Sequence, residues 1–332
     1  MSWLQQIFVK RAEDWTYGRL TPVQVPIDGK NPQSVVPDES YLSITLCSMR
    51  VVNVRELTSK FYGVVHSFIS LNHLSGDTAS FQVVSTPTEL KNIDPKRLDR
   101  IISSNIPLLG PVPYRGGKIS FELGLFSVKE SDLAGPYLDL LGNVASKAGI
   151  SVVSAALPFV ETVKKGVDAI IGNSDDAILE IGVSTTYDES LTTGYYVVMR
   201  APKEKNILSS LVVTPDDLRL VDKATNAPFK DYPYIVYKIT ESKERNDWYT
   251  LPYLKEAYAK LQAATRDGRY NDAADLLKVF KQAAYSSNDL LFKDAKRITA
   301  AVEQKTNEIM TATQVSVVQR SLPDLETYQI YQ

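Results

Sequence analysis

The stretch Ile119-Ser-Phe-Glu-Leu-Gly-Leu-Phe126 decides the fold. Ile119, Phe121, Leu123 and Leu125 fall on one face of an extended chain, with Ser120, Glu122 and Gly124 on the other. A period of two marks a strand that lays one face on a core and leaves the other outside it. The same signal continues towards the N-terminus, where Leu42, Ile44 and Leu46 alternate with Ser43, Thr45 and Cys47, and where residues 61–73 and 79–85 are rich in β-branched and aromatic side chains. It continues towards the C-terminus over 177–187, 195–200, 211–214, 218–222 and 234–240, between turns rich in Gly, Pro and Asn. Eight or nine short strands at this spacing predict an antiparallel β-sandwich-like body, its first three strands forming a meander.

Prolines set the expected breaks. Pro22, Pro26, Pro32 and Pro37 leave room for at most a short edge strand near Arg19 in the lead-in. Asp94 and Pro95 have the look of a helix start, with Leu98, Ile101 and Ile102 on one face, and Pro107, Gly110, Pro111 and Pro113 predict irregular chain after it.

Residues 133–172 interrupt the β pattern with a helical period that runs through Leu138, Leu141, Val144 and Ala148 and then Val153, Leu157 and Val160. Gly149 and Pro158 divide this segment into an inserted hairpin, and Gly135, Gly142 and Gly149 suit close packing. From residue 250 the period is helical throughout. Leu254, Tyr258 and Leu261 form one stripe, Ala273, Leu277, Phe280 and Ala284 a second, and Leu291, Ala295, Ile298, Val302 and Ile309 a third. Gly268-Arg-Tyr-Asn-Asp-Ala273 followed by Phe280 resembles one helix pair of a tetratricopeptide repeat, over some 35 residues. The class is therefore α+β with a mainly β body: a β-sandwich-like domain over 1–249, a three-helix module over 250–312 and a tail over 313–332. The tail's Leu322, Leu325, Tyr328 and Tyr331 suit either docking back or presentation to a partner.

Composition narrows the function. In 332 residues, 37 Lys and Arg against 39 Asp and Glu give a net charge of −2, which supplies no field for a polyanion and argues against nucleic acid. One cysteine, Cys47, permits neither an intrachain disulfide nor a cysteine-based zinc site and points to the cytoplasm. The N-terminus carries Lys10 and Arg11 after its apolar residues, the reverse of a secretory leader, and no run is long enough for a constitutive membrane span.

Motifs for chemistry are sparse. His66 and His73 are the only histidines, and an odd separation of seven points them to opposite faces of a straight strand. Arg115-Gly-Gly-Lys118 lacks the first Gly and the final Ser or Thr of a phosphate loop and precedes a strand, so it is read as a turn. Asp175-Asp176, Asp188-Glu189 and Asp216-Asp217 lack the spacing of a calcium loop and are read as caps. Glu122 and Glu180 hold equivalent places in two strands and form a candidate carboxylate pair if those strands bring them together. No cofactor or metal is predicted.

The reading this supports is a non-enzymatic interaction or adaptor protein whose partners are other proteins. One alternative is a conditionally membrane-active effector that uses the 133–172 segment. Its contact residues are Ile150, Val152, Val153, Leu157 and Phe159, joined by Trp3, Leu4, Ile7 and Phe8 on one face of an N-terminal helix. A second is a carboxylate-dependent hydrolase built on Glu122 and Glu180.

Overall fold

The computed structural model describes residues 16–27, 30–51, 55–56, 59–72, 78–84, 101–129, 177–187, 191–202, 206–311 and 321–325. The chain divides into two compact units, one of residues 1–37 and 42–241 and the other of residues 38–41 and 242–332.

The first unit holds the sheets. Its strands are β1 (Thr16–Arg19), β2 (Tyr41–Arg50), β3 (Arg55–Glu56), β4 (Ser59–Asn72), β5 (Thr78–Val84), β6 (Ile101–Pro113), β7 (Ile119–Lys129), β8 (Ala177–Tyr187), β9 (Gly194–Met199), β10 (Leu211–Val213), β11 (Leu220–Asp222) and β12 (Tyr234–Ser242). One sheet has the order β1-β9-β12-β2-β6, another β3-β4-β7-β8 with β5 also paired to β4, and β10 and β11 form a separate ribbon. Leu42, Ile44, Val198 and Ile235 of the first sheet and Val65, Phe81, Leu123 and Ile181 of the second belong to one buried cluster, which makes the body a sandwich. The first sheet's other face carries a second cluster, with Tyr195, Val197 and Val236 against Leu211 and Leu220 of the ribbon.

The alternation at 119–126 is a strand, with Phe121, Leu123 and Leu125 in the sandwich core. Three expectations change. The first three strands are not a meander, because β4 and β5 pair with each other while β2 lies in the other sheet between β12 and β6. Ile101 and Ile102 open β6 rather than a helix, and β6 runs through Pro107, Pro111 and Pro113. That strand is at a sheet edge, where a missing N–H need not cost a ladder bond. Nor is the second face of β7 left to solvent beyond Ser120: Glu122 is 5 % exposed and Phe126 is buried.

The second unit holds the helices α1 (Pro252–Arg266), α2 (Tyr270–Tyr285) and α3 (Phe292–Thr311). Every residue of the three predicted stripes is buried, as amphipathic helices closing on one another require. Gly268, at φ +72°, takes the left-handed conformation that turns α1 into α2. The ring of Phe280 meets those of Trp248 and Tyr258 edge-on at 6.3 and 6.1 Å. Around the base of α3 is a buried polar network. Asp294 accepts from the Tyr41 hydroxyl (2.9 Å) and the Arg245 backbone N–H (2.7 Å) and pairs with Arg297 (2.7 Å). Tyr41 in turn accepts the Leu291 N–H at 2.9 Å. Residues 38–41 are thus part of the helical unit, which begins at residue 242 rather than 250.

Candidate functional site

Two features stand out, one in each unit. In the helical unit, the segment Ser321-Leu-Pro-Asp-Leu325 lies on α1. Helical spacing puts Tyr258 and Gln262 on one face of α1, four residues apart. The Tyr258 hydroxyl donates to the Pro323 carbonyl at 2.8 Å. The Gln262 side-chain amide donates to the Leu322 carbonyl at 2.9 Å and reaches Asp324 Oδ1 at 3.1 Å. Leu322 is 2 % exposed. Main-chain carbonyls gripped by side-chain donors, beside one buried apolar anchor, are how an extended peptide is held. Burying Leu322 contributes about 2 kcal/mol and each hydrogen bond about 1 kcal/mol. Ordering the backbone costs ~1–2 kcal/mol per residue, which offsets these gains.

In the sheet unit a cleft of about 590 Å³ lies between residues 20–25 and 30–33 and the ends of β9 and β12. Its floor is Leu20, Pro22, Val25 and Tyr195, and its rim carries Lys30, Lys238 and Glu241 among Thr and amide side chains. Tyr195 and Lys238 are opposite one another in the β9–β12 register, which brings the Lys238 ammonium over the Tyr195 ring at 4.8 Å. Both walls are fixed. Gln24, 9 % exposed, accepts from Thr21 N–H and Oγ1 and donates to the carbonyl oxygens of Leu208 and Leu211. On the far side the Gln33 N–H donates to Thr193 Oγ1 (2.9 Å), and the Thr193 N–H to the Gln33 carbonyl (2.8 Å).

The residues singled out in the sequence fall as follows. Glu122 lies opposite Ser184 in the β7–β8 register, whereas Glu180 falls at a register shift beside the Leu125–Phe126 step. At ~3.3 Å per residue they are about 10 Å or more apart along the ladder, so the pairing of β7 with β8 does not bring them face to face. His66 is buried in β4, and burial lowers its pKa to about 4, so the imidazole is neutral. The Arg115–Lys118 sequence is the β6–β7 turn, with Gly116 and Gly117 at φ +77° and +75°. Asp217 takes the Thr214 hydroxyl and an ion pair with Arg219 in the β10–β11 turn, the capping role expected of it. Burial lifts the Cys47 thiol to about 12, well out of the reactive range, with Lys238 opposing the rise. Trp3, Leu4, Ile7, Phe8, His73, Ile150, Val152, Val153, Leu157, Phe159, the whole 133–172 segment, Asp175-Asp176 and Asp188-Glu189 lie outside the described residues. Among the described residues no group of three His, Cys, Asp or Glu is placed to hold a metal, and no helix is long and apolar enough to cross a membrane.

A tyrosine cluster escaped the sequence reading. Tyr17, on β1, shares a hydroxyl hydrogen bond of 2.6 Å with Tyr187, on β8, which shares another of 2.6 Å with Tyr237, on β12. Tyr196 stacks on Tyr237 at 5.4 Å. Burial raises the pKa of each of Tyr17, Tyr187 and Tyr237, so the phenols remain protonated donors that tie one sheet to the other. Its two short hydroxyl bonds join residues 170 and 50 apart in sequence, and periodicity within one strand carries no trace of such a meeting.

No protein-family model matches the chain, and neither a curated protein nor a solved structure shows significant similarity to it.

Proposed function

We propose that this chain is a non-enzymatic interaction protein whose helical unit holds an extended segment of a protein partner. The observation that supports this reading is the seating of residues 321–325 on α1, through Tyr258 and Gln262 to main-chain carbonyls and through buried Leu322. The chain's own segment is then the resting occupant, and a partner segment with Leu followed by Pro and an acidic residue takes its place. Main-chain contacts supply affinity in this mode, and the leucine and acidic positions supply selectivity.

The test is fluorescence anisotropy with a labelled peptide of residues 318–332, titrated with the full chain and with a chain ending at residue 320. The expected result is saturable binding to the shortened chain and weaker apparent binding to the full chain, where the resident segment competes. Tyr258→Phe with Gln262→Ala in the shortened chain should weaken binding by about thirtyfold, as loss of two hydrogen bonds of ~1 kcal/mol each requires. A shortened chain that keeps its helical content and binds no peptide overturns the reading.

A further inference from the structure

We infer that the start of α3 is a docking surface for an acidic peptide segment with apolar side chains at its centre, separate from the α1 seat and independent of it. Leu290 and Leu291 are buried, whereas the next residue, Phe292, is 72 % exposed, more than any other large apolar side chain of the described residues. Tyr285, at the end of α2, is 43 % exposed, and its ring centre lies 5.7 Å from that of Phe292. The two rings make one apolar step in solvent, and aromatic steps of this kind are enriched in protein interfaces. Its position is set before any partner arrives, because buried Thr299 on α3 donates to the Tyr285 hydroxyl at 3.1 Å. A surface already in place loses little ordering entropy on binding.

Charge selects the occupant. Lys293 and Lys296 lie within about one turn of Phe292, Lys296 on its face of the helix. Both are exposed, and neither ammonium makes a hydrogen bond or ion pair. The acidic groups nearby are engaged elsewhere. Asp294 is buried and binds Tyr41 and Arg297, and Asp289 is buried and accepts from the Tyr253 hydroxyl. Glu244 pairs with Arg297, and Glu303 with Lys281. From Asn288 to Lys296 the only charges that reach solvent are therefore these two lysines, and a segment with carboxylates flanking an apolar centre complements them. A second copy of the chain would bring the same two lysines to the contact, where like charges repel. An anionic membrane is matched less well, since two lysines fall short of the roughly 4–8 cations of a polybasic lipid site.

The experiment is fluorescence anisotropy of a labelled peptide, Gly-Asp-Glu-Phe-Leu-Asp-Glu-Gly, titrated with the full chain, and of the same peptide with Asn and Gln in place of its acids. The acidic peptide should bind saturably and the neutral one about tenfold more weakly or not at all, with affinity falling as salt rises. Phe292→Ser should weaken the acidic peptide by about fivefold or more, and Lys293→Gln with Lys296→Gln by about tenfold. All three side chains are exposed, so the variants should keep the helical content of the parent. Lys305→Gln, about 18 Å further along α3 and beyond the screening length of ~8 Å, should leave binding unchanged. No binding up to about 1 mM chain overturns the inference. So does equal binding of the two peptides, or binding of phosphatidylserine vesicles through Phe292 without binding of the peptide. Loss of binding in Tyr258→Phe with Gln262→Ala, but not in the Phe292 and lysine variants, would put the peptide on α1; that overturns this inference and leaves the α1 reading standing.

Discussion

Burial disfavours a proton on His66: the ring is 2 % exposed, and desolvation lowers its pKa to about 4 from an ordinary 6.5. In the unfolded chain the ring takes up that proton below its ordinary value, so between those two values the unfolded state binds more protons than the folded one. Stability is therefore complete above about pH 6.5 and falls as pH drops towards 4, by about 3 kcal/mol from this residue. Denaturant unfolding at a series of pH values should show this slope, and His66→Gln should flatten it; an unchanged slope would show that other groups set the acid sensitivity. The sequence already hinted at a structural histidine, since two isolated histidines seven residues apart make a poor metal site. It gave no hint that Glu122 is buried too, because alternation specifies which residues share a face and says nothing about what is laid over that face.

Elements were legible to the degree that local pattern governed them. The three helices follow from stripes of Leu, Ala and Ile at helical spacing, and β7 from strict alternation. Strand β6 was lost to a count of prolines, since a proline is compatible with a strand at a sheet edge, and edge position is a property of the whole sheet. Close approach between β6 and β2 now makes Gly110 a sensitive point. It sits at φ +90°, and a Cβ there would come within 2.1 Å of the Leu42 carbonyl oxygen, a backbone atom that cannot turn aside. Gly110→Ala should cost more than about 2 kcal/mol. Gly117, at φ +75°, offers a contrast, since its Cβ would meet only the side-chain amide of exposed Asn72 at 2.2 Å. Gly117→Ala should cost about 1 kcal/mol, the conformational share alone. Chemical denaturation of both variants checks the order, and a reversed order would refute the close approach of β6 to β2.

For the whole molecule, the least legible property was the composition of the helical unit. A boundary near residue 250 follows from the change of period, yet the unit also needs residues 38–41, because Tyr41 bridges Asp294 and the Leu291 N–H. Four residues with no helical signature leave nothing in the sequence to assign them there. Tyr41→Phe should destabilise this unit by about 2 kcal/mol, since it leaves a buried N–H and a buried carboxylate oxygen short of a partner. Hydrogen exchange should report the loss in α2 and α3; unaltered protection there would show that the hydroxyl is dispensable. The same arrangement imposes an order on biosynthesis. Tyr41 leaves the ribosome some 200 residues before Ser242, which at ~5–20 residues per second is a delay of roughly 10–40 s. Throughout that interval the nascent chain carries one piece of a unit whose remainder has not been translated; β12, which joins β9 to β2 in the first sheet, emerges only at its end, and the helices close after it.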